Sequence, residues 1–169
     1  MPKPQPSDFP VYFGRYISQV TTDSLSEAVK EYTEALSTFY TNLPEEKADY
    51  SYAPGKWTLK ELLQHVVDTE RIMSYRLLRI ARKDKTPLAS FDENTYAENS
   101  LAGTRSFASI KEEFIPLRKS TDLLIQSLNE EQLSAEGVAS NNPVTANAVG
   151  YIIFGHMLHH KNVVEEKYL

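Results

Sequence analysis

Three of the chain's four histidines fall within five residues of one another, in GHMLHH at Gly155–His160. On a helix each residue advances about 100°, so His156 and His160 stand one turn apart on nearly the same line. Val149, Ile152, Ile153 and Val163 share that side, which puts the pair in an apolar stripe. Histidines there are either core residues satisfied by hydrogen bonds or two ligands of a metal at the spacing seen in helical zinc and iron sites. Two ligands do not make a site, and the one remaining histidine is His65, in KWTLKELLQHVVDTER. Alone it reads as a structural residue; with the pair it completes three imidazoles from two helices, a set that leaves positions open for water or substrate. It lies about 100° from the centre of its own apolar stripe, which predicts a site in an interhelical crevice or at a bundle end. His159 falls at the stripe's edge, where it borders the pocket without ligating. One divalent ion, zinc, nickel, iron or manganese, suits such a set.

Two carboxylates stand close by in sequence. Glu70 interrupts the apolar stripe between Val66 and Met73, so it is either paired with an arginine in the core or a base of raised pKa beside the site. Asp68, one turn from His65, either accepts a proton from the ring nitrogen that does not ligate or is a solvated partner of Arg71. Arg71–Lys85 carries six basic residues and one acidic one in a chain whose net charge is −5. Arg76, Arg79 and Lys83 lie near the His65 line, where they either draw an anionic substrate or thiol toward the metal or face solvent and neighbouring acids.

Four segments have the apolar spacing needed to carry these residues. The first runs from Ser24 to Leu43 and ends before Pro44; the second starts at Thr58, whose T-L-K-E reads as a capping box with Glu61, and stops near Arg82. The third spans Ser106 to Leu128 with a bend expected at Pro116, and the fourth runs from Thr145 to the C-terminus. The fold class is therefore all-α, a four-helix bundle in a single domain, 1–169, whose long connections include one that crosses a bundle end. Leu88, Phe91 and Tyr96 make the longest connection a packed loop. Tyr151, Phe154 and Leu158 form a second apolar patch on the last helix, either more core or the surface of a homodimer.

Composition removes other chemistries. With no cysteine there is no disulfide, thiolate ligand or cysteine nucleophile, and the net charge of −5 argues against tracking a nucleic-acid backbone. Neither a signal peptide nor a long apolar run is read, so a cytoplasmic protein with no membrane contact is expected.

The stretch YAPGKWTLKELLQHVVDTERIMSYRLLRIARKDKTPLASFDENTY, Tyr52–Tyr96, with GHMLHHKNVVEEKYL at the end, resembles the DinB-like, YfiT-type family of metalloenzymes. The resemblance covers most of the chain. It implies a bundle of unusual connectivity holding one divalent metal through a histidine of the second helix and an HxxxH pair of the last, positions that match His65, His156 and His160. Some members transfer low-molecular-weight thiols such as bacillithiol, mycothiol or glutathione, and many are termed metal-dependent hydrolases. Thiol transfer to an electrophilic small molecule therefore ranks first, with hydrolysis by activated water next; a binding module, in which the metal only ties two helices together, is the alternative from outside enzymology.

Overall fold

A computed structural model describes all residues, 1–169. Four long helices, α2 (Leu25–Thr41), α3 (Leu59–Ala81), α5 (Phe107–Ser127) and α7 (Ala146–Lys167), form a bundle, with a short helix α1 (Gly14–Ile17) before them and short helices α4 (Glu93–Asn99) and α6 (Glu130–Leu133) between them. Each long helix begins where a side-chain oxygen can take an orphan amide. Ser24 accepts from Glu27 N at 3.2 Å, Ser106 from Ser109 N at 3.2 Å and Thr145 from Ala148 N at 3.1 Å. Thr58 and Glu61 complete the expected capping box, with amide bonds of 3.2 and 2.7 Å.

Around the bundle α3 packs on α5 and α7, and α2 packs on the other side of the same two helices. Helices α2 and α3 are thus diagonal, so the segment between them crosses a bundle end, which is why it cannot be a short turn. Helix α7 is the central element: every residue from Ala146 to Met157 is buried, and its side chains join Leu63 and Leu77 of α3, Leu36 of α2 and Phe114 of α5 in one contiguous core. Tyr151 and Phe154 belong to this core. Tyr151 donates to Thr22 O at 3.2 Å and the Phe154 ring meets Tyr32 at 6.2 Å, so they leave no free apolar face, and the homodimer expectation loses that basis.

Two details add to the sequence expectations. Helix α5 runs unbroken through Pro116, which is exposed, so the carbonyl freed one turn earlier at exposed Glu112 can be satisfied by water. The segment before α7 is an antiparallel hairpin, β1 (Glu136–Ala139) with β2 (Asn142–Thr145), turning on Ser140 and Asn141 at φ 51° and 63°. Two successive positive φ values are those of a type I′ turn. Leu88 N donates to Val138 O at 2.8 Å and Ser140 N to Leu88 O at 2.9 Å, which pins the long 82–106 connection to the hairpin as a packed loop. No helix is long and apolar enough to cross a membrane.

Candidate metal centre

The α3–α7 crevice brings His65, His156 and His160 together. Nε2 of His156 stands 3.0 Å from Nε2 of His65 and 3.1 Å from Nε2 of His160, and no carboxylate belongs to the group. Neutral imidazole has a single in-plane lone pair on one nitrogen and a single hydrogen on the other. Three Nε2 atoms facing one another therefore cannot all be satisfied by mutual hydrogen bonds. A shared electrophile satisfies them all, and ligand nitrogens about 2.0–2.1 Å from a tetrahedral ion stand roughly 3.3 Å apart. An opening of a few tenths of an ångström would suffice, so the donor set fits a divalent metal.

Electrostatics keep those lone pairs free. Burial, with a smaller contribution from His159, lowers the His65 pKa to about 4. Burial and the neighbouring imidazoles push His156 and His160 well below the usual histidine range, and the Arg15 guanidinium acts in the same direction. The three rings are consequently neutral at physiological pH, the state a metal requires.

A cavity of about 580 Å³ opens beside the three rings. Its walls come from α3, α7, the N-terminal segment, the loop at Phe91 and the hairpin turn. Trp57, the residue before the α3 cap, tilts over His65 with ring centroids 4.7 Å apart. Tyr16 stands edge-on to His156 at 5.4 Å and to His159 at 5.3 Å. Arg15 lies over the Tyr12 and Tyr16 rings at 4.0 and 4.7 Å and donates to Tyr16 Oη at 2.7 Å. His159 thus borders the site beside Tyr16.

The other sequence candidates separate. Arg76 lines the cavity, buried, donating through Nη2 to Ala89 O at 2.6 Å and Ser140 Oγ at 3.1 Å. Arg79 does not line it; its guanidinium is held by Asp84 and Tyr75. Lys83 pairs with Glu131 and Arg71 with Glu113, so with Arg79 half of the six basic residues in the stretch are matched by nearby acids. Glu70 does not reach the cavity either: it sits 3.1 Å from Arg118 in the core, where burial raises its carboxyl pKa and Arg118 partly opposes that. That is the structural side of the choice its position posed. Asp68 accepts from Gln64 Nε2 at 2.9 Å and faces a different depression with Tyr96 and Asn99, because three residues turn it about 60° away from His65.

Sequence reasoning missed Arg15, Tyr16, Trp57 and Thr69. The first two carry a signal in hindsight, the aromatic and basic cluster VYFGRY in a segment otherwise rich in proline. Trp57 and Thr69 carry none beyond proximity to the cap and to His65.

A family model described as the DinB superfamily matches residues 28–164. A protein of Oceanobacillus iheyensis, provisionally named a metal-dependent hydrolase, is 28% identical over 93 residues, 53% of this chain and 53% of its own length. The chain thus matches about half the length of that curated relative. Among solved structures, YfiT from Bacillus subtilis, described provisionally as a metal-dependent hydrolase with an unusual four-helix bundle topology, superposes with a TM-score of 0.71 at 18% identity, covering 97% of this chain and 90% of its own. A mycothiol-dependent maleylpyruvate isomerase superposes with a TM-score of 0.63 at 14% identity, covering 95% of this chain and 61% of its own. At these identities the two structures speak for the fold.

Proposed function

The chain belongs to the DinB superfamily, and from that premise we propose that it is a metal-dependent enzyme acting on a small molecule, with one divalent ion held by His65, His156 and His160. The observation that carries this reading is the convergence of three neutral Nε2 atoms on one wall of a cavity, at separations of 3.0 and 3.1 Å along the set. Zinc, nickel, iron or manganese held there would supply Lewis acidity, lowering the pKa of a thiol or water so that it serves as nucleophile at neutral pH.

The chain's own residues do the rest. Three neutral ligands leave the ion's charge undiminished, in contrast to a site with a carboxylate. Trp57 and Tyr16 cover the rings on two sides and limit water. Arg15 and Arg76 lend the cavity positive charge, which attracts an anionic substrate or thiol.

Thiol transfer is the reaction favoured first. Within the ligand group no carboxylate stands ready as a base, and a thiol coordinated to a metal needs none. The chain has no cysteine, so the thiol must be a separate small molecule, and about 580 Å³ has room for part of a thiol together with its electrophile. Hydrolysis is the second reading, favoured by the names given to the Oceanobacillus relative and to YfiT.

Elemental analysis of protein purified without an affinity tag tests the premise: one divalent ion per chain is expected, and none in His160→Ala. Equal metal content in both would remove the centre. Metal-loaded protein mixed with bacillithiol or glutathione and a model electrophile then tests the reaction, and a rate no higher than that of metal-free protein would count against thiol transfer.

A further inference from the structure

Buried cations in this fold come with carboxylates, with one exception. Lys60 pairs with Asp49 at 3.0 Å, Lys111 with Glu45, and Arg118 with Glu70 at 3.1 Å and Asp122 at 2.8 Å. Arg76 is 3% exposed, and its partners, Ala89 O, Ser140 Oγ and the Met73 sulfur, include no carboxylate. A buried charge with only neutral partners is a standing electrostatic penalty.

Its hydrogen bonds hold it without neutralising it. Nη2 is occupied by Ala89 O and Ser140 Oγ, both neutral, which fixes the plane of the guanidinium between loop and hairpin. Nη1 faces only the Met73 thioether sulfur at 3.8 Å, a weak acceptor. The group is therefore positioned, with donor capacity left over, on the wall of the cavity that also contains the three histidines.

A second buried group on the same wall lacks a partner. Thr69 is 4% exposed, lines the cavity, and its Oγ1 has no hydrogen bond. His65, Thr69 and Arg76 fall within about 40° of one another on α3, so one stripe presents a ligand nitrogen, a free hydroxyl and a free cation in order. Tyr16, Met73, Phe91 and Ile152 supply apolar wall between and around them. Glu93 is the cavity's one carboxylate; it is exposed at the start of α4 and makes no ion pair with Arg76.

Resting on the metal reading for the position of the reacting end, we propose that the cavity binds an elongated organic carboxylate, its acid group on Arg76, its apolar body against Met73 and Phe91, and its far end at the three histidines. The stripe acts as a ruler. Eleven residues separate His65 from Arg76, about 16 Å of helix rise, and the backward reach of the arginine side chain shortens this to a ligand on the order of 10 Å. Thr69, between the two ends, donates to a polar atom along the body. Arg15 at the rim, which has no carboxylate partner either, favours entry of an anion over a cation.

Calorimetric titration with a series of ω-phenylalkanoates tests this, against the matching primary amides and the matching phosphate monoesters. The acid is expected to bind roughly tenfold or more tighter than its amide, since a hydrogen-bonded charge is exchanged for a neutral group. The preference should collapse in Arg76→Gln, and Thr69→Val, which leaves the Arg76 tether intact, should weaken longer acids more than the shortest. Should Arg76→Gln fail to fold, the acid-to-amide ratio of the native protein and its Thr69→Val variant decide. Repeating the titration with His156→Ala separates the two readings: an acid preference retained there places the anion on Arg76 whether or not the native protein holds a metal. Loss of the preference in His156→Ala, equal affinity for acid and amide in the native protein, or tighter binding of the phosphate, overturns the proposal.

Discussion

The carbonyl oxygen of Tyr16 lies so close to Gly155 that a Cβ on the glycine would stand 2.1 Å from it. Helix α1 therefore docks on α7 backbone to backbone, at the residue before His156, and this contact sets the Tyr16 ring against the His156 and His159 imidazoles. The neighbouring atom is main chain, so it cannot rotate away. Gly155→Ala is expected to cost about 1–3 kcal/mol of stability, the usual range for overpacking, and to displace the N-terminal segment from the cavity. Gly103→Ala, where nothing lies within 4 Å of the added carbon, serves as the control. Urea denaturation of both variants checks this, and equal midpoints would mean that α1 is not held where it is described.

Metal should stabilise the fold as well as supply chemistry, because its ligands come from two helices that separate on unfolding. A ligand at a hundred times its dissociation constant adds about 2.7 kcal/mol to unfolding free energy when the unfolded chain does not bind. Thermal unfolding is expected to move to higher temperature on adding zinc or nickel and to return on chelation. His65→Ala, which leaves the HxxxH pair on α7 intact, should lose most of the shift. A shift of the same size in that variant would show that α7 binds the ion alone.

Arg118 is 1% exposed and holds Glu70 and Asp122, which also accepts from Thr33 at 2.9 Å. Arg118→Met strands two buried carboxylates and is expected to destabilise by about 3–5 kcal/mol. Glu70→Gln keeps an oxygen facing Arg118 and should cost far less, with metal content and activity unchanged. A selective loss of kcat in Glu70→Gln, at full metal content, would return Glu70 to the reacting centre.

What could be read in advance follows from what is local. Helix starts at Ser24, Thr58, Ser106 and Thr145 depend on a side chain and an amide a few residues away, so the sequence carries them in full. The His65, His156 and His160 set was legible because histidine type and helical spacing jointly restrict the choice. The roles of Glu70, Asp68 and Arg79 were not, since on a helix a few tens of degrees decide between cavity, core and surface, and the neighbours that decide it, such as Arg118 and Gln64, act through tertiary contact or a particular rotamer. The hairpin before α7 was hidden because its strands are four residues each and β2 contains Pro143. Tyr16 reaches the site only through docking of a segment remote in sequence from α7, and Trp57 through the turn before the α3 cap, outside the helical period, so no periodicity reports either.

Trp57 offers the most direct reading of the centre in solution. It is the chain's sole tryptophan, and its ring lies 4.7 Å from that of His65, so its fluorescence reports on one place. The contact is produced by the α3 cap: Thr58 and Glu61 fix where the helix starts, and the residue before it is folded back over the first turns. Nickel or copper bound by the three histidines would sit within a few ångströms of the His65 ring, and should quench the indole with a saturating, one-to-one titration. Zinc, without open-shell electrons, should shift the emission and quench little. His156→Ala leaves Trp57 and His65 in place but removes the central nitrogen of the set, so the saturating phase should disappear while any weak surface quenching persists. An unchanged titration in His156→Ala would mean that the ion quenching Trp57 is not the one the three histidines hold.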